Sequence, residues 1–287
     1  MTSLSIVGVG RIGGQVAFLA SYLGLADELV LYDIQPALLE AQVKDLLHGM
    51  PDLEISTNPD DIRTTDLCVY AAGVSRTAAV KTRADLLGVN HTTADLCVPY
   101  LKGFRGVLIS VANPVDVINY HLARAAGLDP RRCIGFGGQL DSARFGLEMN
   151  SRGIQGPRWV LGEHGENQVP IFSRFHAKIP TEEREKILNG LRWASMEVIV
   201  GKGGTVFGPA AHLVNLLEMV IDDAGVLVPV SCILNGEYGA NGCSLGVPAE
   251  VGWGGILSVE EWTLDTWEQE HFAKAVYSVK GLCGTLP

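Results

Sequence analysis

The first 136 residues alternate short apolar runs with amphipathic stretches, and this alternation constrains the fold more than any other feature of the 287-residue sequence. The apolar runs lie at Leu4–Val9, Leu29–Tyr32, Asp66–Ala72, Val107–Ala112 and Arg132–Phe136. Helical periodicity separates them at Arg11–Leu23, Pro36–Leu47, Arg83–Leu101 and Val115–Ala126. Strands that are apolar throughout are typical of a parallel sheet covered by helices on both faces. We therefore predict an α/β fold with a doubly wound parallel sheet.

The second half of the chain has a different pattern. The predicted elements are a strand at Trp159–Leu161, helices at Thr181–Val200 and Pro209–Ile221, strands at Val226–Leu234 and Val247–Val251, and a final helix that begins near Val259. Such a mixture is typical of an α+β unit. We predict two tightly packed domains, residues 1–141 and residues 142–287.

The first predicted strand runs directly into the spacing Gly8-x-Gly10-x-x-Gly13, which opens the first helix. In this context the glycines permit a tight turn, close approach of a pyrophosphate and close packing of helix on strand. The helix N-terminus adds unpaired N–H groups and the positive end of the helix dipole. Asp33 ends the next strand, where its carboxylate would accept hydrogen bonds from ribose hydroxyls and repel a 2′-phosphate. These features predict a Rossmann fold that binds NAD rather than NADP, the alternative being that Asp33 is only a turn residue at the strand end.

Charge and composition exclude several classes of protein. The formal net charge is −10, which leaves no basic excess to neutralise nucleic-acid phosphates. No apolar run reaches the roughly 20 residues that span a bilayer, and only Met-Thr-Ser precedes the first predicted strand. The six cysteines form no C-x-x-C pair and have no metal-type spacing with histidine. We therefore expect a cytoplasmic protein with reduced, structural cysteines, no metal site, and no nucleic-acid or membrane partner.

Four further segments place polar residues just after predicted elements. They are Ala71–Asn90 with Arg76 and Arg83, Ser110–Asp116 with Asn113, Gly137–Phe145 with Asp141 and Arg144, and Val160–Pro170 with His164. In this order, after the glycine turn, they resemble the lactate/malate dehydrogenase family over nearly the whole chain. The resemblance implies an NAD-dependent dehydrogenase that transfers a hydride between nicotinamide and a small 2-oxo/2-hydroxy acid.

His164 is the acid–base residue that this resemblance implies. Its loop is flanked by glycines and follows a strand, and an imidazole titrates near neutrality, as the hydroxyl proton requires. Asp141 would bond the other ring nitrogen, fix the tautomer and favour the protonated ring. Arg144 lies three residues further on and would leave the same face of a helix, where its guanidinium binds the substrate carboxylate at two points.

The remaining site residues follow from the same resemblance. Arg83 would polarise the substrate carbonyl, Asn113 would bond the reacting oxygen near the nicotinamide, and Thr205 would place a hydroxyl beside the substrate. Turn capping before Pro114 is the alternative role of Asn113. The residues expected to contact the cofactor are Gly8, Gly10, Arg11, Ile12, Gly13, Asp33, Ala72, Gly73, Asn90, Val111 and Asn113.

Arg76 bears on substrate choice. Malate enzymes of this family carry an arginine at the corresponding loop position, which pairs with the second carboxylate, whereas lactate enzymes carry a neutral residue. A buried carboxylate without a counter-charge is strongly disfavoured, so Arg76 favours malate and oxaloacetate as substrates. The segment between Arg76 and Arg83 departs from the family pattern and is one residue longer, which leaves Lys81 as an alternative cation and L-lactate as an alternative substrate.

The resemblance also implies a homodimer or homotetramer and a role in the tricarboxylic acid cycle. The segment Asp45–Gly49 matches a family helix that often packs against a neighbouring subunit. Two other classes of protein remain as alternatives, an NAD-dependent glycosidase and a catalytically silent dinucleotide-binding protein. The glycosidase needs a metal site that includes cysteine and histidine, and the silent protein would not need the set formed by Arg83, Asp141, Arg144 and His164.

Overall fold

The computed structural model describes residues 2–75 and 84–286, apart from the side chain of Ala84. Within these ranges the strands are β1 (Ser3–Val7), β2 (Glu28–Tyr32), β3 (Glu54–Ser56), β4 (Leu67–Tyr70), β5 (Val107–Ser110), β6 (Cys133–Gly135), β7 (Val160–Gly162), β8 (Gln168–Pro170), β9 (Val226–Asn235), β10 (Asn241–Gly252) and β11 (Gly255–Val259). The helices are α1 (Arg11–Tyr22), α2 (Pro36–Gly49), α3 (Leu87–Leu101), α4 (Val115–Ala126), α5 (Gly138–Ser151), α6 (Thr181–Lys202), α7 (Phe207–Ile221) and α8 (Thr266–Cys283).

The N-terminal half forms the predicted parallel sheet. Its strand order is β3-β2-β1-β4-β5-β6, and each neighbouring pair among these strands is parallel. The order reverses between β1 and β4, because the chain first builds outward through β2 and β3 and then returns to the other side of β1. In sheets of this kind, ligands bind beyond the carboxyl ends of the strands at such a reversal. The predicted doubly wound fold is confirmed, with the short strand β3 as an addition.

The C-terminal half extends the same sheet with antiparallel strands. β9 pairs with β6, where Gly135 lies opposite Ser231, and β10 then pairs with β9, β7 and β11. Both halves of the described chain therefore share one hydrogen-bonded sheet. The division at residues 141/142 falls inside α5 and remains a prediction.

The end of the chain corrects one expectation. The final helix does not begin near Val259, because the preceding residues form β11 and the helix begins at Thr266. Asp265 caps it, since its side chain accepts the N–H of Glu268 at 3.0 Å while the Glu268 carboxylate accepts the N–H of Asp265 at 2.9 Å. This reciprocal capping box sets where the helix starts. β10 is also longer than the predicted strand Val247–Val251.

The six cysteines are all buried and unpaired, as predicted. Burial raises the pKa of the Cys68 thiol and of the Cys133 thiol to about 12, so these side chains act as small apolar groups. No helix in the described ranges combines the length and apolar character that crossing a bilayer requires.

Candidate active site

The glycine turn between β1 and α1 cannot accept side chains at two of its positions. Gly8 has φ +91°, and a Cβ there would lie 2.5 Å from the Cα of Ala72, two residues after β4. A Cβ on Gly13 would lie 1.9 Å from the Gly8 carbonyl oxygen. Gly10 has open space around the same position, and α1 begins there without a side-chain cap. The turn therefore presents bare backbone and a helix N-terminus to the cleft, which fits the diphosphate of a dinucleotide.

Asp33 fastens this turn to the end of β2. Its two carboxylate oxygens accept the N–H of Val9 at 3.0 Å and the N–H of Gln35 at 2.9 Å. Arg11, at the start of α1, donates to the carbonyl oxygen of Gly203 at 2.6 Å. Because Gly203 caps the end of α6, this contact links the glycine turn to the C-terminal half.

Asn90 holds together the loops that follow β4 and β5. Its buried side-chain oxygen accepts the N–H of Val74 at 2.6 Å, and its amide nitrogen donates to the Asn113 carbonyl at 2.6 Å. Gly73 lies directly against it, since a Cβ on Gly73 would be 2.8 Å from the Asn90 oxygen. In this structure Asn90 thus braces the cleft wall through protein backbone.

Asn113 contributes a buried polar atom to the cleft. Its peptide bond to Pro114 is cis, and its side-chain oxygen is buried without a hydrogen-bond partner among the described residues. Buried polar atoms are seldom left unpaired in folded proteins. The orphaned oxygen therefore fits a ligand that donates a hydrogen bond, as the carboxamide of nicotinamide can.

His164, Asp141 and Arg144 form one hydrogen-bonded cluster. The His164 Nδ1 lies 2.5 Å from one carboxylate oxygen of Asp141, and Arg144 donates to the other oxygen at 3.0 Å. Asp141 is 2% exposed, whereas His164 and Arg144 are 10% and 14% exposed and both line the cleft. Asp141 and Arg144 meet because both lie on α5, where residues three apart share one helix face. The imidazole ring rests on Gly137, where a Cβ would lie 2.4 Å from the ring.

A second buried carboxylate, which the sequence analysis did not single out, holds the backbone of His164. Asp116 accepts the His164 N–H at 2.8 Å and the Ser231 hydroxyl at 2.5 Å. Ser231 also contacts the Ser244 hydroxyl at 2.8 Å. Burial raises the pKa of Asp116 to about 7, against the lowering effect of the Ser231 hydrogen bond. The available signal was the position of Asp116 three residues after Asn113, at the start of α4.

One cleft collects most of the predicted residues. Those that line it are Gly10, Arg11, Ile12, Gly73, Asn90, Val111, Asn113, Arg144, His164 and Thr205. Five others lie outside this lining: Gly8, Gly13, Asp33, Ala72 and Asp141. Gly8, Gly13 and Asp33 support the glycine turn, Ala72 abuts Gly8, and Asp141 supports His164. Arg76, Lys81 and Arg83 lie outside the described residues.

Two residues near the cleft were not predicted. Ser195 on α6 lines the cleft, and its buried hydroxyl has no hydrogen-bond partner in the described part of the chain. Burial and then the charge of the Arg144 guanidinium lower the pKa of His212 on α7. Helix periodicity alone does not distinguish such residues from ordinary half-buried positions.

Comparison with known families agrees with this geometry. The profile described as lactate/malate dehydrogenase, NAD binding domain, matches residues 2–135, and the profile for the alpha/beta C-terminal domain matches residues 140–281. The chain belongs to the lactate/malate dehydrogenase family. It is therefore an oxidoreductase whose N-terminal half binds NAD.

Individual relatives include both kinds of enzyme. The chain is 36% identical to a malate dehydrogenase of Natronomonas pharaonis, with 94% of each chain covered. It is 30% identical to an L-lactate dehydrogenase of Halalkalibacterium halodurans, over 96% of this chain and 95% of that one. The structure of a malate dehydrogenase from Archaeoglobus fulgidus in complex with NADH is similar with a TM-score of 0.87, at 28% identity and 99% coverage of both chains. Family membership thus leaves the choice between malate and lactate to individual residues.

Proposed function

We propose that this protein is an NAD-dependent malate dehydrogenase that interconverts (S)-malate and oxaloacetate. The observation that carries the proposal is the cluster of His164, Asp141 and Arg144, whose imidazole and guanidinium face one cleft with the glycine turn. An acid–base group and a carboxylate-binding group are the two functions that a 2-hydroxy acid dehydrogenase must supply beside its cofactor. Bound NAD supplies the hydride acceptor, and NADH the donor.

His164 exchanges the hydroxyl proton in this proposal. Because Nδ1 is bonded to Asp141, Nε2 is the nitrogen that takes the proton during oxidation and returns it during reduction. The buried Asp141 carboxylate orients the ring and favours its protonated form. Asp116 fixes the backbone of the same residue, so both ends of His164 are held by carboxylates.

Arg144 binds the C1 carboxylate of the substrate. A guanidinium meets a carboxylate as a planar fork, which fixes the reacting carbon relative to the nicotinamide. The hydrogen bond that Arg144 donates to Asp141 orients the guanidinium, and the same carboxylate also orients the His164 ring. Asn113 and Thr205 line the same cleft, where they would bond the reacting oxygen and the substrate body. Arg83 would polarise the carbonyl.

The choice of malate rests on Arg76. An arginine at this position would pair with the second carboxylate of malate, whereas lactate would leave it facing a methyl group. The malate dehydrogenases among the relatives, at up to 36% identity, also favour this substrate. L-Lactate remains the second candidate because lactate dehydrogenases match at about the same identity.

A substrate panel with Arg76→Gln tests the proposal. NADH consumption is measured with oxaloacetate, pyruvate and longer 2-oxo acids, and wild type should prefer oxaloacetate. The variant should lose at least about 10²-fold of this preference, since a buried carboxylate loses its counter-charge. Arg105→Gln is the matched control, because Arg105 is exposed on the far loop before β5. A wild type that prefers pyruvate, or a ratio unchanged by Arg76→Gln, would overturn the choice of malate.

We also propose a homodimer or homotetramer that functions in the cytoplasm as part of the tricarboxylic acid cycle. Large apolar side chains on α5 and α6 support association, since Leu147, Trp193 and Val200 are 71%, 64% and 75% exposed. Association would remove these apolar side chains from water. Analytical ultracentrifugation should therefore give at least twice the 30.7 kDa mass of the chain, and a monomer at micromolar concentration would contradict this.

A further inference from the structure

Two histidines and an aspartate meet where α3 packs against α4, outside the residues that line the catalytic cleft. We call His91, Asp95 and His121 the α3–α4 cluster. His91 and Asp95 are one turn apart on α3, and His121 comes from α4. The Asp95 oxygens lie 2.7 Å from the His121 Nε2 and 3.5 Å from the His91 Nδ1. One ligand-type atom from each residue lies within 4.8 Å of the other two.

These distances suit a small divalent cation. Zinc bonds to imidazole nitrogen and carboxylate oxygen at about 2.0–2.2 Å, so its tetrahedral ligands are roughly 3.3–3.5 Å apart. The Asp95–His91 contact, at 3.5 Å, matches this spacing, and the Asp95–His121 contact, at 2.7 Å, is shorter. Small side-chain rotations are therefore enough to open the cluster around an ion. The fourth position would be filled by solvent, because Asp95 is 49% exposed.

The hydrogen bonding of His91 points to a ligand. Its Nε2 is buried and has no partner among the described residues. If the ring proton is on Nδ1, toward Asp95, the Nε2 lone pair is buried without a donor. If the proton is on Nε2, the Nδ1 lone pair faces a carboxylate. A cation between Nδ1 and Asp95 removes the repulsion of the second tautomer, because both groups then donate electron pairs to it while Nε2 keeps the ring proton.

The second histidine is prepared in the same sense. The two rings are 4.2 Å apart between centroids, and the His121 Nε2 lies 2.7 Å from the Asp95 carboxylate. Metals bind the neutral imidazole, so one ion can take electron pairs from both rings and from the carboxylate between them.

We propose that His91, Asp95 and His121 form a binding site for a divalent transition-metal ion such as Zn²⁺. Two imidazole nitrogens and one carboxylate oxygen supply the protein ligands. The ion links α3 to α4 at His91, the residue that follows Asn90, and Asn90 in turn bonds Val74 and Asn113 in the cleft wall. The site is separate from the proton and hydride transfer of the enzyme and stands whatever substrate the cleft accepts.

Metal titrations of the chelator-treated, full-length protein test this directly. Zn²⁺ is titrated by calorimetry, and Co²⁺ by its visible absorption, which reports coordination by nitrogen and oxygen. Wild type should bind one ion per chain at micromolar concentrations. Asp95→Asn, at a half-exposed position, and His121→Gln should each weaken binding by at least about 10²-fold. Zn²⁺ should also raise the Tm of wild type but not of these variants, since an ion that binds only the native state stabilises it.

Two controls separate this cluster from other histidines. His176→Gln removes an exposed histidine, and His164→Ala removes the one in the cleft, so both should retain wild-type affinity for Zn²⁺. Circular dichroism shows whether the variants are folded, and Asp95→Asn supplies the decisive arm if His121→Gln is not. Binding that is lost in His164→Ala but kept in Asp95→Asn would overturn the proposal. So would a wild type that binds no Zn²⁺ below millimolar concentration.

Discussion

Two histidine–aspartate pairs of the described chain have nearly the same nitrogen–oxygen distance but different surroundings. His164 lies 2.5 Å from Asp141, and His121 lies 2.7 Å from Asp95. Asp141 is 2% exposed and inaccessible, whereas Asp95 is 49% exposed. A histidine–aspartate pair alone therefore does not determine the chemistry of the site that contains it.

The third partner makes the difference. Beside Asp141 stands the Arg144 guanidinium, which adds a fixed positive charge and suits an anionic substrate. Beside Asp95 stands the His91 imidazole, which adds a lone pair and suits a cation. In our two proposals, the same carboxylate–imidazole unit serves acid–base chemistry on an anion in one place and ion binding in the other.

Removing the imidazole of the first pair should have the largest effect. We expect His164→Ala to lower kcat for oxaloacetate reduction by up to about 10⁴-fold, because no other group replaces the proton donor. Fluorescence titration should give an NADH Kd within a few-fold of wild type, since the glycine turn is unchanged. The exposed His176→Gln is the control for loss of a histidine. Turnover close to wild type in His164→Ala would remove the acid–base role.

Changing the third partner should have the next largest effect. Arg144→Lys keeps the charge but loses the two-point fork, so the substrate carboxylate is held less firmly. We expect kcat/KM for oxaloacetate to fall by about 10²- to 10³-fold, a loss comparable to removing one transition-state donor. NADH binding, measured by fluorescence, should be retained. A lysine enzyme within a few-fold of wild type would show that charge alone is sufficient beside Asp141.

Local sequence patterns predicted much of the cleft around His164 and Asp141. The glycine spacing is largely local, because Gly13 is required by contact with Gly8 and Gly8 has φ +91°, although Gly8 also lies against Ala72, just after β4. Spacing also placed Asp141 and Arg144 on one face of α5, as observed. The link from His164 to Asp141 came from resemblance to the family, since 23 residues separate them.

The α3–α4 cluster could not be predicted from local sequence patterns. His91 and Asp95 have the spacing of a metal-binding helix pair, but their partner His121 is 26 residues from Asp95 and on another helix. Only the packing of α3 on α4 brings the three together. The predicted start of α8 near Val259 was wrong for a local reason, because the capping box at Asp265 sets the start of this helix at Thr266.

The residue against which each imidazole ring packs is a third difference between the two histidine–aspartate pairs. The His164 ring rests on Gly137, whereas the His121 ring rests on His91. In Gly137→Ala the new methyl group would start 2.4 Å from the His164 ring, so the ring must move. We expect kcat to fall by about 10- to 10²-fold, as for displacements of catalytic groups by about 1 Å. Gly190→Ala on α6, with 3.9 Å to its nearest neighbour, is the matched control, and equal activity of the two variants would contradict the contact.

The carboxylate behind the His164 backbone should have the smallest effect, and on stability rather than rate. Burial raises the pKa of Asp116 from 3.8 to about 7 in the folded protein. Between these values the folded state binds more protons than the unfolded state, so the free energy of unfolding falls as pH rises through this window. Asp116→Asn keeps an oxygen that can accept the His164 N–H but does not titrate.

Urea unfolding at several pH values measures this difference. Between pH 5 and pH 8 the free energy of unfolding of wild type should decrease by about 3 kcal/mol more than that of Asp116→Asn. Asp52→Asn, at an exposed turn residue, should follow wild type. Parallel curves for wild type and Asp116→Asn would mean that Asp116 is ionised throughout, in which case its charge, and not a neutral acid, holds the backbone of His164. Asp116 would then resemble Asp141, and His164 would stand between two buried anions where His121 has only the half-exposed Asp95.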